Sequence, residues 1–187
     1  MPEPVVICDY DPAWPERYEA LRAAVVAALG DVAAAIEHVG STSVPGLAAK
    51  PTIDLVVRMR SHADLPAAIE RLARLGYVHE GDLGITGREA FATPPGYATH
   101  DHHLYVCAPD WPGFDDQVVF RDHLRSHPSA ARAYERLKRT LAARHGTDRS
   151  GYTNAKAGFV RDVLKRAGRI QQLASSPVGA KRNAGDP

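Results

Sequence analysis

The order of elements along this chain predicts an α+β fold: a small mixed sheet, helices packed mainly on one face, and extra helices toward the C-terminal end. Three observations predict it. The length of 187 residues suits one domain. Runs with helical and strand-like apolar spacing follow one another as α, β, β, α, β, β, β, which is not the strict alternation of a doubly wound parallel sheet. After Trp111-Pro112-Gly113 the spacing is helical throughout.

Each element rests on local signals. Asp11 and Pro12 precede a helical run over 13–30, where Tyr18, Leu21, Val25 and Leu29 share one face and Gly30 suits the end. Residues 32–38 read as a short strand, 40–46 as a loop, and 52–57 as a strand whose start is marked by Pro51. A second helix is expected over 63–76, closed by Gly76. Short strands follow at 77–79, 88–93 and 102–108, the last two joined by PPGYATHD. Three helical runs follow at 115–128, 129–146 and 151–174. The polar, Gly- and Pro-containing end, 174–187, is expected to be a disordered tail, which leaves 1–173 as a single domain.

Composition excludes several classes of function. Formal net charge is +1, from 23 basic and 22 acidic residues, so no electrostatic case exists for nucleic acid or an anionic membrane as partner. Cys8 and Cys107 lie far apart in apolar surroundings, which predicts free buried thiols rather than a disulfide or a thiolate zinc site. The N-terminal MPEPVVICDYDP lacks a basic region, and no apolar run approaches the ~20 residues of a membrane span. A cytoplasmic protein is the expectation.

The stretch HVGSTSVPGLAAKPTIDLVV carries the chemistry. It reads strand, Gly-Ser turn, connection, then a strand bearing one acid, Asp54. The N–H groups and hydroxyls of such a turn can face a phosphate, and an acid on the next strand can hold the accompanying metal. Gly40 and Ser41 alone would be an ordinary turn; with Ser43, Lys50 and Asp54 behind them, a nucleotide or related phosphorylated small molecule becomes the expected ligand. Strand parity puts Ile53, Leu55 and Val57 on the core face and Asp54, Val56 and Arg58 on the other. By the same rule His102, Leu104 and Val106 face the core, while His103, Tyr105 and Cys107 share the open face with Asp54 if the strands are neighbours. His100, Asp101, His102 and His103 resemble a metal cluster, but alternation separates His102 from His103, so zinc is not expected. Arg88, Arg121, Arg125 and Lys156 are further basic residues near element ends, and Arg88 and Arg121, with Tyr105, join the expected binding set.

The first motif resembles the signature of the GrpB family. GRE-F (Gly87, Arg88, Phe91), HHLYV, FRDHLRSHPSAARAYERLK and YTNAKAGFV match its pattern as well, together covering about residues 5–167. The resemblance implies a minimal nucleotidyltransferase-like core in which Gly40 and Ser41 grip a triphosphate and Asp54 holds Mg²⁺. Similar domains fused to dephospho-CoA kinases imply the alternative of a non-catalytic domain that binds a protein in coenzyme A metabolism. The chain departs from active nucleotidyltransferases in one respect. Those carry two acids two residues apart plus a third on a neighbouring strand, whereas Thr52 and Val56 flank Asp54 here and the neighbouring strand offers His103 and Tyr105. Two-metal transfer lacks its ligands. What is expected is phosphate contact by Ser41 and Ser43, neutralisation by Lys50, and proton transfer assisted by His103.

Overall fold

A computed structural model describes residues 4–93 and 101–169. The tail expected at 174–187, the connection 94–100 and His100 lie outside them.

The first helix, α1, runs Trp14–Leu29. Asp11 accepts a hydrogen bond from the Ala13 N–H at 2.9 Å just before it, and Pro15 occupies its first turn. Its buried residues are Trp14, Tyr18, Leu21, Val25 and Leu29, the expected stripe with Trp14 added. Fully burying such side chains stabilises the fold by roughly 1.5–3 kcal/mol each. Strand β1 is Ala33–Val39 and β2 is Ile53–Met59. Between them, Ser41–Ser43 forms a single 3₁₀ turn inside the expected loop. Helix α2, Leu65–Ala73, follows a capping box in which Ser61 and Asp64 satisfy each other's backbone N–H ends. Strands β3 (Val78–Gly81), β4 (Arg88–Ala92) and β5 (His102–Cys107) complete the sheet.

The strand order is β1-β2-β5-β4-β3. Among the described residues β2 pairs with β5 in parallel, and the pairs β1–β2, β4–β5 and β3–β4 are antiparallel. The sheet is thus mixed, and the fold is α+β. Helices α1 and α2 cover one face, where they meet Ile53, Leu55, Val57, Leu104 and Val106.

The other face is not left bare. Helix α3, Pro112–Ser126, lays Phe114 against Val39, Val56 and Cys107. Val56 and Cys107, read from parity as open-face residues, are completely buried beneath it. The parity was right and the cover was not visible in it, because α3 is distant in sequence. Beyond α3 come α4 (Pro128–His145), α5 (Arg149–Ala155) and α6 (Ala157–Arg166). The single run expected over 151–174 is therefore divided. The break is at Lys156, whose N–H turns back to the Thr153 carbonyl at 3.3 Å, the tighter 3₁₀ spacing. Both cysteines are free, Cys107 buried and Cys8 half-buried. Among the described residues no helix is long and apolar enough to cross a membrane.

Candidate functional site

The parallel register of β2 and β5 sets Asp54 directly beside His103. Residues opposite each other in a ladder share a face, so the pair projects from the sheet side away from α1 and α2. His103 Nδ1 and Asp54 Oδ1 are 2.8 Å apart. An ionised carboxylate only accepts, so Nδ1 carries a proton, and in a neutral ring Nε2 would be the acceptor. The sequence expectation that these two residues share a face is met, though both are half-buried rather than open.

The turn at Gly40 stands directly over this pair. Its φ is +71°, and a Cβ placed there would lie 2.1 Å from Asp54 Oδ2. Glycine is required twice over, for its left-handed backbone and for its closeness to the carboxylate. The turn is held by its own side chains. Thr42 Oγ1 donates to the Thr52 carbonyl at 3.1 Å. That uses its only proton, so His38 Nε2, also 3.1 Å away, must donate to Thr42. His38 is buried and stacked on Tyr18, with ring centroids 4.5 Å apart. Burial pulls its pKa down to about 4, against the pull of Asp54 the other way, so its imidazole is neutral at pH 7.

The expected phosphate contacts divide. The Ser43 hydroxyl is buried and donates to the Gly40 carbonyl, so it shapes the turn. Ser41 is half-buried, and the Tyr134 hydroxyl reaches its side chain. Lys50 lies 3.4 Å from Asp101, whose carboxylate also takes the Thr52 hydroxyl proton at 2.9 Å. Arg121 is spent on structure. Its guanidinium donates to Glu37 at 2.7 Å and to the His38 carbonyl at 2.9 Å, and it pairs with Asp122. Arg125 likewise clamps the Ser43 carbonyl, at 2.7 and 3.0 Å.

Arg88 and Tyr105 sit farther along the same face. The Arg88 guanidinium stacks 4.3 Å over the Tyr105 ring, and its Nε is buried without a partner. Burial pushes the Tyr105 hydroxyl up to about 12, helped by the nearby Asp54 charge. His102 turns to the core, where its Nε2 is 2.7 Å from the Tyr77 hydroxyl.

The C-terminal helices supply residues that strand reading alone cannot locate. Tyr134 of α4 reaches Ser41, Lys138 donates to the Ala48 carbonyl, and Lys156 lies in the field of both Asp54 and Lys50. Two sequence signals pointed to Lys156, its place near an element end and the YTNAKAGFV motif.

Among the described residues no group of three or more His, Cys, Asp or Glu could hold a metal ion. One carboxylate, with one oxygen already bonded to His103, does not make a resident metal site. Mg²⁺ requires only one or two protein carboxylates when phosphates supply the other ligands. A separate groove of about 500 Å³ is lined by Pro45, Leu47, Leu124, Arg125, Ala131 and Arg132 among others. Neither Asp54 nor His103 lines it.

A family description, GrpB protein, matches residues 4–166. A UPF0157 protein of Pseudomonas aeruginosa is 40% identical over 84% of this chain and 65% of its own length. The UPF0157 protein YqkA of Bacillus subtilis is 33% identical over 94% of this chain and 51% of its own, so this chain spans about half of that relative. A dephospho-CoA kinase of Mycolicibacterium paratuberculosis is 28% identical over 88% of this chain and 46% of its own. The crystal structure of a conserved protein GrpB from Enterococcus faecalis superposes with a TM-score of 0.76 at 32% identity, covering 87% of this chain and 96% of that one. Terminal uridylyl transferase 4 from Trypanosoma brucei, with bound UTP, superposes with a TM-score of 0.50 at 16% identity, covering 92% and 59%. The last likeness concerns the fold alone, which is nucleotidyltransferase-like.

Proposed function

The chain belongs to the GrpB family, and from that premise we propose that it binds a nucleotide or related phosphorylated small molecule over the turn at Gly40 and Ser41. One observation carries the reading. The turn is packed so closely over Asp54 that no side chain fits at Gly40, which sets the backbone of the turn beside the Asp54–His103 pair. A phosphate there would meet the turn amides and the Ser41 hydroxyl, with Lys50 alongside. Arg88 and Tyr105 would line the continuation of the face. Mg²⁺ belongs to this proposal only as a companion of the ligand's phosphates, with Asp54 as its protein ligand. A cytoplasmic location is part of the same proposal.

Should the ligand be turned over, nucleotidyl or phosphoryl transfer is the reaction these groups could assist. His103 Nε2 would take the proton of an acceptor hydroxyl, and Asp54 would steady the resulting imidazolium. Only one of the usual strand acids is present, so turnover is expected to be slow. The test is a thermal-shift screen of nucleotides and coenzyme A-like compounds, with and without Mg²⁺, followed by a pyrophosphate-release assay on the hits. We expect a shift of several degrees that Asp54→Asn reduces by more than half, with little or no release of pyrophosphate. No shift with any phosphorylated compound would overturn the reading.

The second reading is a non-catalytic domain that binds a protein partner linked to coenzyme A metabolism. The similarity to part of a dephospho-CoA kinase favours it. It predicts no ligand-induced shift, and saturable association with a purified kinase of that class.

A further inference from the structure

The groove between the 44–47 loop and the junction of α3 with α4 holds about 500 Å³ and is not lined by Asp54 or His103. Its floor is apolar. Leu47 and Leu124 belong to one buried cluster, and Ala131 packs against that cluster. Pro45 and Pro128 line its edge; both are exposed, and neither has a backbone N–H to offer. The groove is therefore open to solvent along the prolines. A site for a small molecule encloses about 70–90% of its ligand. An open trough with an apolar floor suits one face of a longer chain instead. Strand addition needs a free row of backbone N–H and C=O groups, which prolines do not supply, whereas a helix lays down only side chains.

The rim carries unequal charge. Arg125, Arg132 and Glu135 line it. Glu135 is matched within α4 by Arg139, at 3.1 Å. Arg125 gives two N–H groups to the Ser43 carbonyl, and its Nη1 is 3.6 Å from Asp122, which Arg121 already holds at 2.8 Å. Arg132 is exposed, and among the described residues no carboxylate pairs with it. Arg136, one helical turn on, is exposed and likewise unpaired among the described residues. Like charges one turn apart repel, so the helix itself gains nothing from this pair. The imbalance is wider than the groove. Residues 112–166 carry 12 basic and 6 acidic residues, whereas residues 1–111 carry 8 and 15. The overall charge of +1 thus hides an acidic sheet half and a basic helical half.

We propose that this groove docks an acidic amphipathic helix of a partner protein, with apolar side chains against Leu47, Leu124 and Ala131 and carboxylates facing Arg132 and Arg125. The unpaired arginine sets the sign of the partner's charge, and the apolar floor sets its amphipathy. A single-stranded nucleic acid would match the arginines alone, since no residue lining the groove is aromatic and a base has nothing to stack on. The inference stands apart from the phosphate reading of the turn. It goes beyond the partner-binding reading, which names no surface. The groove and the turn meet at one residue, because Arg125 lines the first and clamps the Ser43 carbonyl of the second.

The test is selection from a display library of random peptides about 15 residues long, roughly four helical turns, against the full chain. The best binder is then synthesised, labelled for fluorescence anisotropy, and titrated into ¹⁵N-labelled protein. Enriched sequences should carry apolar residues at helical spacing with an excess of Asp and Glu, and amide shifts should centre on Leu47, Leu124 and Ala131. Arg132→Glu should melt as wild type does, because the side chain is exposed and unpaired. It should weaken the peptide about tenfold or more and flatten the salt dependence of binding. Replacing the peptide's acids with amides should weaken it similarly, which tests the charge match without touching the protein. Enrichment of basic or uncharged sequences, or no enrichment at all, would overturn the proposal. So would shifts that centre away from the groove, or equal affinity for wild type and Arg132→Glu. A labelled oligouridylate that binds as tightly as the peptide and competes with it would also overturn it, by assigning the arginines to nucleic acid. None of these outcomes bears on the turn at Gly40, which the thermal-shift screen tests separately.

Discussion

At Gly40 a single missing carbon decides where the backbone can go. A Cβ would stand 2.1 Å from Asp54 Oδ2, and the backbone is already at a φ of +71°. Gly40→Ala must push the turn off Asp54 or push Asp54 off His103. It should destabilise the protein by about 2 kcal/mol or more and lose ligand-induced stabilisation, both readable by denaturant titration and thermal shift. His38 makes a different prediction. Its folded pKa of about 4 lies below its ordinary 6.5, so between those values the unfolded chain holds a proton that the folded chain does not. Stability is therefore complete above pH 6.5 and is lost as pH falls toward 4. Replacing His38 with Gln, which can still donate to Thr42, should flatten that limb of the stability–pH curve. An unchanged slope in the variant would mean that other groups carry the acid sensitivity.

At the scale of elements, α3 is both cover and clamp. Phe114 closes the sheet face over Val56 and Cys107, while Arg121 and Arg125 reach from the same helix to β1 and to the 3₁₀ turn. Arg121 is 8% exposed, so removing it strands the Glu37 carboxylate and the His38 carbonyl together. Arg121→Ala should cost about 2–4 kcal/mol in urea unfolding. Where the variant is still folded, its ligand affinity should fall far less than that of Asp54→Asn; the reverse order would make Arg121 a direct ligand of the phosphate. Helix α4 carries its own test in Lys138, whose pKa burial lowers from 10.5 to about 7. Between those values the unfolded chain is the more protonated, so the stability this lysine contributes is present above the unfolded pKa and is lost as pH falls through about 7. Wild type should gain about 1–3 kcal/mol relative to Lys138→Met between pH 7 and 9. Parallel stability curves for the two proteins would contradict the assignment.

For the molecule as a whole, the sheet was largely legible and the helical frame around it was not. Alternation along IDLVV and HHLYV was enough to put Asp54 and His103 on one face, because strand parity is local. Their adjacency also required β5 to insert between β2 and β4 and to pair with β2 in parallel, which no local pattern reports. The burial of Val56 and Cys107 and the commitment of Arg121 to Glu37 both depend on where α3 docks, a contact between segments far apart in sequence. Lys156 stood in a recognisable motif, yet only packing against Tyr134 brings its helix to Ser41. The part of the site built from one strand-turn-strand segment could be read from residues; the part that closes around it belongs to tertiary structure.

Amide NMR locates a bound ligand directly and so tests the central claim most closely. In ¹⁵N-labelled protein titrated with a nucleoside triphosphate and Mg²⁺, the largest backbone shifts are expected at Gly40, Ser41 and Asp54. The His103 ring nitrogens should shift as well, and all these changes should be absent or much reduced in Asp54→Asn. Shifts confined to the groove lined by Pro45, Leu47, Leu124 and Arg132, or no shifts at saturating ligand, would contradict it.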